Sequence, residues 1–427
     1  MIALVLTIAA SLVLAIATRK RPIIWLGTGV VCLVLVPRVA SRSWYIGAGD
    51  FASIHPSMWV FVGGVGVTIL SIRRNPNYPR SRKRLNVALA LWVLLSLLIV
   101  VIAWGNPSSF LFVFVAPLAG FFAVGVAAVR ANERIVPQLV QLVLVLAVLQ
   151  AALAIAQWAT GQVLFWETFY SSNYWWRTTL SRSLGTLDSP LDLAAFLTMA
   201  LPLIARLRRT SMAIAVAALL LAGVFVSGSR VGTVVAVVVL VWVLITHSRH
   251  VIVGTLIGVL LVASAISFLA TPLADELLDR FGARGDTSTE VRRVALDTGL
   301  GFVMQSPLFG HGTGFAYDFS SSQLSSSFEN AYLSAAIDYG LPIVASLVAL
   351  QVLASLCAPH SRLLYRLPGL IAILWGFSYS AFASGSAFGT LAWLFIGISS
   401  VSGLLEPEGR AGSGITRDLG GSVRGRG

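Results

Sequence analysis

Apolar residues run along this chain in long blocks, without the polar interruptions that a water-facing helix or strand requires. About 20 consecutive apolar residues are needed to cross the hydrocarbon of a bilayer, with a range near 17–25. On that rule thirteen segments are predicted spans: roughly 2–18, 22–36, 58–72, 85–104, 110–129, 136–157, 187–205, 211–227, 231–246, 251–269, 331–357, 367–383 and 387–404. The expected fold class is all-α, a polytopic transmembrane bundle of about 12–13 helices. The bundle is expected over 1–404 and includes a long, partly helical loop at 271–328. A Gly- and Arg-rich tail at 405–427 is expected to be disordered.

Composition agrees with the pattern. Hydrophobic residues make up 57% of the 427 and charged residues 11%, with a mean hydropathy of +0.86. A soluble domain carries roughly 25% charged residues, so this chain cannot cover a surface facing water. The net charge of +13 does not point to nucleic acid, because the basic residues sit in short runs between apolar blocks. That is how topology is set in a membrane. Placing 19–21 in the cytoplasm also puts 73–84, 130–135, 206–210, 247–250, 358–366 and the tail inside. Those segments hold 21 of the 30 Lys and Arg, whereas 13 of the 17 acidic residues fall outside. The amino terminus is thus expected outside and the carboxyl terminus inside. Nothing basic precedes the first segment and Arg19, Lys20 and Arg21 follow it, the reverse of a secretory leader, so it is expected to stay. Cys32 and Cys357 lie in different apolar segments and are expected to form neither a disulfide nor a metal site.

The polar residues gather in two outer loops. The first, 158–186, carries Trp158, Trp166, Tyr170, Tyr174, Trp175 and Trp176 with Arg177 and Arg182. These aromatics read as an interfacial belt, as a platform for sugar rings, or as both. In the second loop Leu273–Phe281 and Thr289–Met304 are amphipathic, with Val291, Ala295, Leu296, Leu300 and Val303 on one face. Four features near helix ends carry candidate chemistry. They are Arg230 in Ser227-Gly228-Ser229-Arg230, the pair Arg292 and Arg293, the Gly-rich run from Pro307 through His311 to Gly314, and Glu329-Asn330. Each also has a plain structural reading: a snorkelling arginine, solvated charges paired with Glu290 or Asp286, a turn, and a helix-start carboxylate. Together they place arginines and one carboxylate on the same side of the membrane, where ionisable groups at the edge of a bundle point to function.

In their order these features resemble the O-antigen ligase and polymerase family, polytopic glycosyltransferases that use polyprenyl-diphosphate-linked glycans. The resemblance covers roughly residues 185–342. Gly185-Thr186-Leu187-Asp188-Ser189-Pro190 before an apolar helix is similar to the family's Gly-Thr…Pro-Asn segment, and Ser227-Gly228-Ser229-Arg230 to its Ser-Arg turn. Arg292 lies about fifteen residues before the Pro-Leu-Phe-Gly run, the family's spacing, and fits it better than Arg293. The family's His-Asn-x-Tyr-Leu reads Glu329-Asn330-Ala331-Tyr332-Leu333 here, followed by Asp338-Tyr339-Gly340-Leu341-Pro342. Glutamate in place of histidine departs from the ligase pattern and leans toward a polysaccharide polymerase.

The resemblance implies transfer of a glycan from a lipid diphosphate to an acceptor hydroxyl, with inversion at the anomeric carbon and no metal or other cofactor. Glu329 would be the base, and Arg230 and Arg292 would hold the diphosphate. Arg293, Asn330, His311, Trp175, Trp176 and Arg177 would bind substrate. The implied partners are the glycan donor and acceptor, the lipid bilayer, a flippase and a chain-length regulator, at the outer face of a bacterial cytoplasmic membrane. A ligase acting on finished glycan is the nearer alternative, and a transporter the more distant one. A transporter would place charges and broken helices near the bilayer midplane, often in repeated halves. Here the spans are nearly free of charge and no internal repeat is seen.

Overall fold

The computed structural model describes residues 2–45, 54–71, 80–105, 110–131, 135–170, 182–207, 209–247, 285–324, 327–357, 363–379 and 387–401. Among them every regular element is helical. The α-helices are α1 (Ile2–Ala17), α2 (Pro22–Leu35), α3 (Arg38–Trp44), α4 (Pro56–Ser71), α5 (Arg80–Trp104), α6 (Leu118–Ala131), α7 (Ile135–Thr160) and α8 (Glu167–Tyr170). They continue with α9 (Pro190–Ala200), α10 (Thr210–Val226), α11 (Arg230–His247), α12 (Gly285–Gln305) and α13 (Phe315–Gln323). The last are α14 (Ala331–Tyr339), α15 (Leu341–Leu356), α16 (Leu363–Gly376) and α17 (Phe388–Ser400). The predicted segment 251–269, the helix expected over 273–281 and the tail fall outside the described residues.

Two of these helices are long and apolar enough to cross a bilayer, Arg84–Trp104 within α5 and Ile135–Thr160 as α7. The bent pair α2–α3 adds a third if counted as one span, and α1, α10 and α15 are among the shorter apolar helices. The outer surface of α5 shows what surrounds it. Leu91, Leu94, Leu95, Leu98 and Ile102 are all more than half exposed. A water-soluble protein rarely leaves so continuous an apolar stripe uncovered. Meanwhile Trp25, Trp375 and Trp393 are fully buried between helices, together with the polar side chains of Gln150, Gln157 and Asp192. Apolar outside and selectively polar inside is the surface of a membrane protein.

Two breaks position the rest of the molecule, and proline accounts for each. Pro37 lacks an N–H and drives the preceding residue out of the helical region; Val36 is extended, at φ −107° and ψ 111°. α2 therefore stops, and α3 leaves at 101° to it. The carbonyls stranded at the end of α2 are taken up by side chains from elsewhere. Gln150 Nε2 and Thr186 Oγ1 donate to the Val34 carbonyl, at 3.1 and 2.7 Å. Trp166 Nε1 donates to Leu35, and a ring nitrogen of His55 lies 2.7 Å from the Val36 carbonyl.

The second break divides the predicted span 331–357. Gly340, at φ +87°, separates α14 from α15, whose second residue is Pro342. A proline in the first turn of a helix marks a start and cannot continue the helix before it. The Leu308 carbonyl crosses against Gly340 so closely that a Cβ there would overlap it. Gly340→Ala is expected to cost about 2–4 kcal/mol, combining left-handed strain with this overlap. The loss would be read as a lower thermal midpoint of the purified protein in detergent.

Candidate functional site

The site is built on a segment, 182–190, that lies across the ends of three helices. Gln150 and Gln157 are seven residues apart on α7 and so share one face. Gln157 Oε1 accepts from the N–H groups of Leu184 and Gly185, at 3.3 and 2.9 Å, and its Nε2 donates to the Gly185 carbonyl at 2.8 Å. Gln150 Oε1 accepts from the Thr186 N–H at 3.0 Å. These bonds satisfy a buried loop that would otherwise lose about 1–3 kcal/mol per unpaired group. Ser189 then caps α9 by accepting from the Asp192 N–H, and its hydroxyl lies 2.8 Å from that of Tyr379. Asp188 accepts from the N–H groups of Val39 and Ala387, at the starts of α3 and α17.

The amino end of the segment meets the turn between α10 and α11. Ser183 N–H donates to the Val226 carbonyl at 3.1 Å, and Arg182 Nε donates to Ser227 O at 2.9 Å. Ser229 caps α11 by accepting from the Gly232 N–H, which makes Arg230 the first residue of that helix. A cation there opposes the positive end of the helix macrodipole. The helix end and Arg230 both favour an anion in front of them.

The third component comes from the second loop. α12 covers the predicted Thr289–Met304 helix, though its buried stripe runs through Ala295, Gly299 and Val303, while Leu296 and Leu300 face outward. Gly299 packs beside Leu333 and Phe328. Arg292 continues that stripe by three residues toward the amino end, so it projects toward the start of α14. Its Nε lies 2.6 Å from Glu329 Oε2, with the two side chains 52% and 31% exposed. Arg293 is turned about 100° away and pairs at 3.9 Å with Asp297 on the open face of the same helix. Exposed pairs of that kind contribute about 0–1 kcal/mol. Arg293→Ala is therefore expected to leave the thermal midpoint of the purified protein nearly unchanged; a clear drop would show that the pair contributes more than an exposed one does.

Glu329 itself has φ +45°, rare for a residue with a Cβ. Such a conformation costs of order 1–3 kcal/mol and clusters at functional sites. The next residue, Asn330, is extended and caps α14, its Oδ1 accepting from the Leu333 N–H at 2.9 Å.

Arg182 joins the parts into one electrostatic unit. Burial lowers its pKa from the ordinary arginine value; Arg292 and Arg230 lower it further, and Glu329 and Tyr379 oppose them. Arg230, Arg292, Glu329 and Tyr379 thus all act on Arg182 from four other stretches of chain. Among the predicted site residues, Arg292 and Glu329 are in contact, Arg230 acts with them on Arg182, and Asn330 follows Glu329 in the chain. His311 lies apart. A ring nitrogen lies 2.8 Å from the Phe302 carbonyl and its ring stacks on Phe315, about 15 Å along α12 from Arg292 at 1.5 Å per residue. Trp175, Trp176 and Arg177 lie outside the described residues. Among the described residues no three His, Cys, Asp or Glu side chains converge as a metal site.

Residues 214–348 match the family model described as O-antigen ligase. This segment is O-antigen ligase-like. It contains Arg230, Arg292, His311, Glu329 and Asn330, and it begins after Arg182 and the Gly185–Pro190 run. No curated protein matches the chain. Together with the apolar helices, the O-antigen ligase match supports glycan transfer of the ligase or polymerase type at a membrane, within polysaccharide biosynthesis. In the sequence Arg182 stands only among the aromatic residues of the first loop. The signal that could have singled it out is the Ser-Gly-Ser turn, whose Gly228 leaves room for a side chain from another segment.

Proposed function

We propose that this protein is a membrane glycosyltransferase that polymerises polyprenyl-diphosphate-linked oligosaccharide units on the outer face of a bacterial cytoplasmic membrane. The observation that carries the reading is the Arg292–Glu329 pair, which acts on Arg182 together with Arg230 at the start of α11. Glycosyl transfer from a diphosphate needs a base for the attacking hydroxyl and positive charge for the leaving group, and this cluster contains both.

In the proposed reaction Glu329 takes the proton from the acceptor hydroxyl as its oxygen bonds to the anomeric carbon. The bond from that carbon to the diphosphate oxygen breaks, and its electron pair leaves with the diphosphate. Attack from the face opposite the diphosphate inverts the anomeric centre. Guanidinium groups can each give two parallel hydrogen bonds to phosphate oxygens, and such contacts strengthen as charge builds on the leaving group. Arg292 links the two events. As Glu329 becomes protonated its hold on Arg292 weakens, just as the departing diphosphate becomes the stronger anion.

The departure of Glu329 from the family's histidine supports a polymerase, while the description of the matching family favours a ligase that transfers finished glycan to a lipid or protein acceptor. Reconstitution of the purified protein with a lipid-linked repeat unit separates these readings. A ladder of products supports polymerisation, and one transferred chain on an added acceptor supports ligation. Substrate moved across the bilayer unchanged would sink both in favour of a transporter. A flippase and a chain-length regulator are the partners this reading calls for.

A further inference from the structure

We propose that Arg182 is a third basic ligand of the carrier diphosphate and that Gly228 is the positioning residue that seats it. The inference rests on the reading of the cluster as a glycan-transfer site. It adds a residue outside the segment that matches the O-antigen ligase family.

Three observations carry it. Arg182 is anchored through Nε, the inner donor of the guanidinium fork, to the Ser227 carbonyl at 2.9 Å. Anchoring there fixes the plane of the group and leaves its two terminal nitrogens at the outer edge, which is the edge that engages phosphate bidentately. The second observation is charge. Arg292, Arg230 and Glu329 each act on Arg182, so these four groups carry a net charge of two positive. A guanidinium cannot lose its proton to relieve such crowding, and a diphosphate is the anion whose charge matches the excess.

The third observation is the seat. Gly228 has φ +65°, and a Cβ built there would lie 3.1 Å from both Cγ and Nε of Arg182. The turn thus needs glycine twice, for its left-handed backbone and for the side chain lying across it. A methyl group at 228 would push the guanidinium from its anchor while leaving every charge in place.

The test uses the full-length protein in liposomes with a lipid-linked repeat unit, and farnesyl diphosphate as a competing anion. Arg182→Ala is expected to raise KM for the donor and the inhibition constant of farnesyl diphosphate by about ten- to a hundredfold, the loss of a charge-assisted contact. Arg182→Lys should recover part of both, because it restores charge without the fork. Gly228→Ala should shift both constants in the same direction. Combined with Arg182→Ala it should add nothing further, since both changes remove one contact.

Normal constants in Arg182→Ala and Gly228→Ala, with transfer abolished in Arg230→Ala and Arg292→Ala, would overturn this inference and leave the proposed function standing. Normal transfer in all four would overturn the function as well. If Arg182→Ala lowers only the amount of folded protein, with unchanged KM per active molecule, Arg182 is a structural residue and the inference is wrong. Additive effects in the double variant would remove Gly228 from its positioning role.

Discussion

Glu329→Gln is expected to abolish glycan transfer while leaving the protein in the membrane at the parent level. The amide keeps the size of the side chain but cannot take up a proton, and a positioned base contributes about 10²–10⁴ in rate. The substitution also replaces the 2.6 Å charged contact with Arg292 by a neutral one, so the arginine loses its orientation as well as its counter-ion. Glu329→His is expected to retain a measurable fraction of the activity, because histidine can accept the proton and stands at this point in the family pattern. The measurement is the initial rate of product formation from a lipid-linked repeat unit, normalised to folded protein. Full activity in Glu329→Gln would remove the residue from the chemistry and reduce the pair to a structural contact.

Arg230→Ala and Arg292→Ala are the second pair of large effects, each expected to lower the rate by about 10²–10³, the scale for losing one charged donor to a developing anion. Their side effects should differ. Arg230 is the first residue of α11, and its removal relieves repulsion with the helix dipole; stability should hold or rise slightly as activity falls. Arg292→Ala removes the ion pair that Arg292 makes with Glu329 at a strained backbone position, so stability should fall with activity. Thermal midpoints measured beside the rates would show a drop for Arg292→Ala and none for Arg230→Ala. A drop in stability alone, with the rate per folded molecule unchanged, would contradict the assignment of either arginine.

Much of this was legible in the chain because the relevant physics is local. α12 was expected from its 3.6-residue apolar period, whereas the preference for Arg292 over Arg293 came from the resemblance to the O-antigen ligase family. In the structure Arg292 extends the stripe that packs toward α14 and pairs with Glu329, and Arg293 faces away toward Asp297. Among the described residues hydropathy located most of the apolar helices to within a few residues but could not say where they break. In 331–357 it ran through Gly340 because both sides are apolar, although Gly-Leu-Pro already carried the signal of an end followed by a start. The bend after Val36 was hidden similarly, because the side chains that complete it, Gln150, Trp166 and Thr186, are more than a hundred residues away. Arg182 was hidden by the same distance. Nothing near it in sequence marks it out, and its environment exists only once 182–183 lie against the turn after α10.

That separation has a consequence for how the protein is made. The Val34 carbonyl, stranded by Pro37, receives its bonds from Gln150 and Thr186, 116 and 152 positions later in the chain. At a synthesis rate of about 5–20 residues per second, the ribosome supplies those partners roughly 6 to 30 s after Val34 itself. During that interval an exposed carbonyl in hydrocarbon would cost several kcal/mol, so the kink cannot rest in lipid in its final form. The first two helices must be held by water or by the insertion machinery until α7 and the 182–190 segment arrive. Nascent chains stalled before residue 150 should therefore leave residues 34–38 open to a water-soluble thiol reagent at an introduced cysteine, and chains stalled beyond 190 should close it.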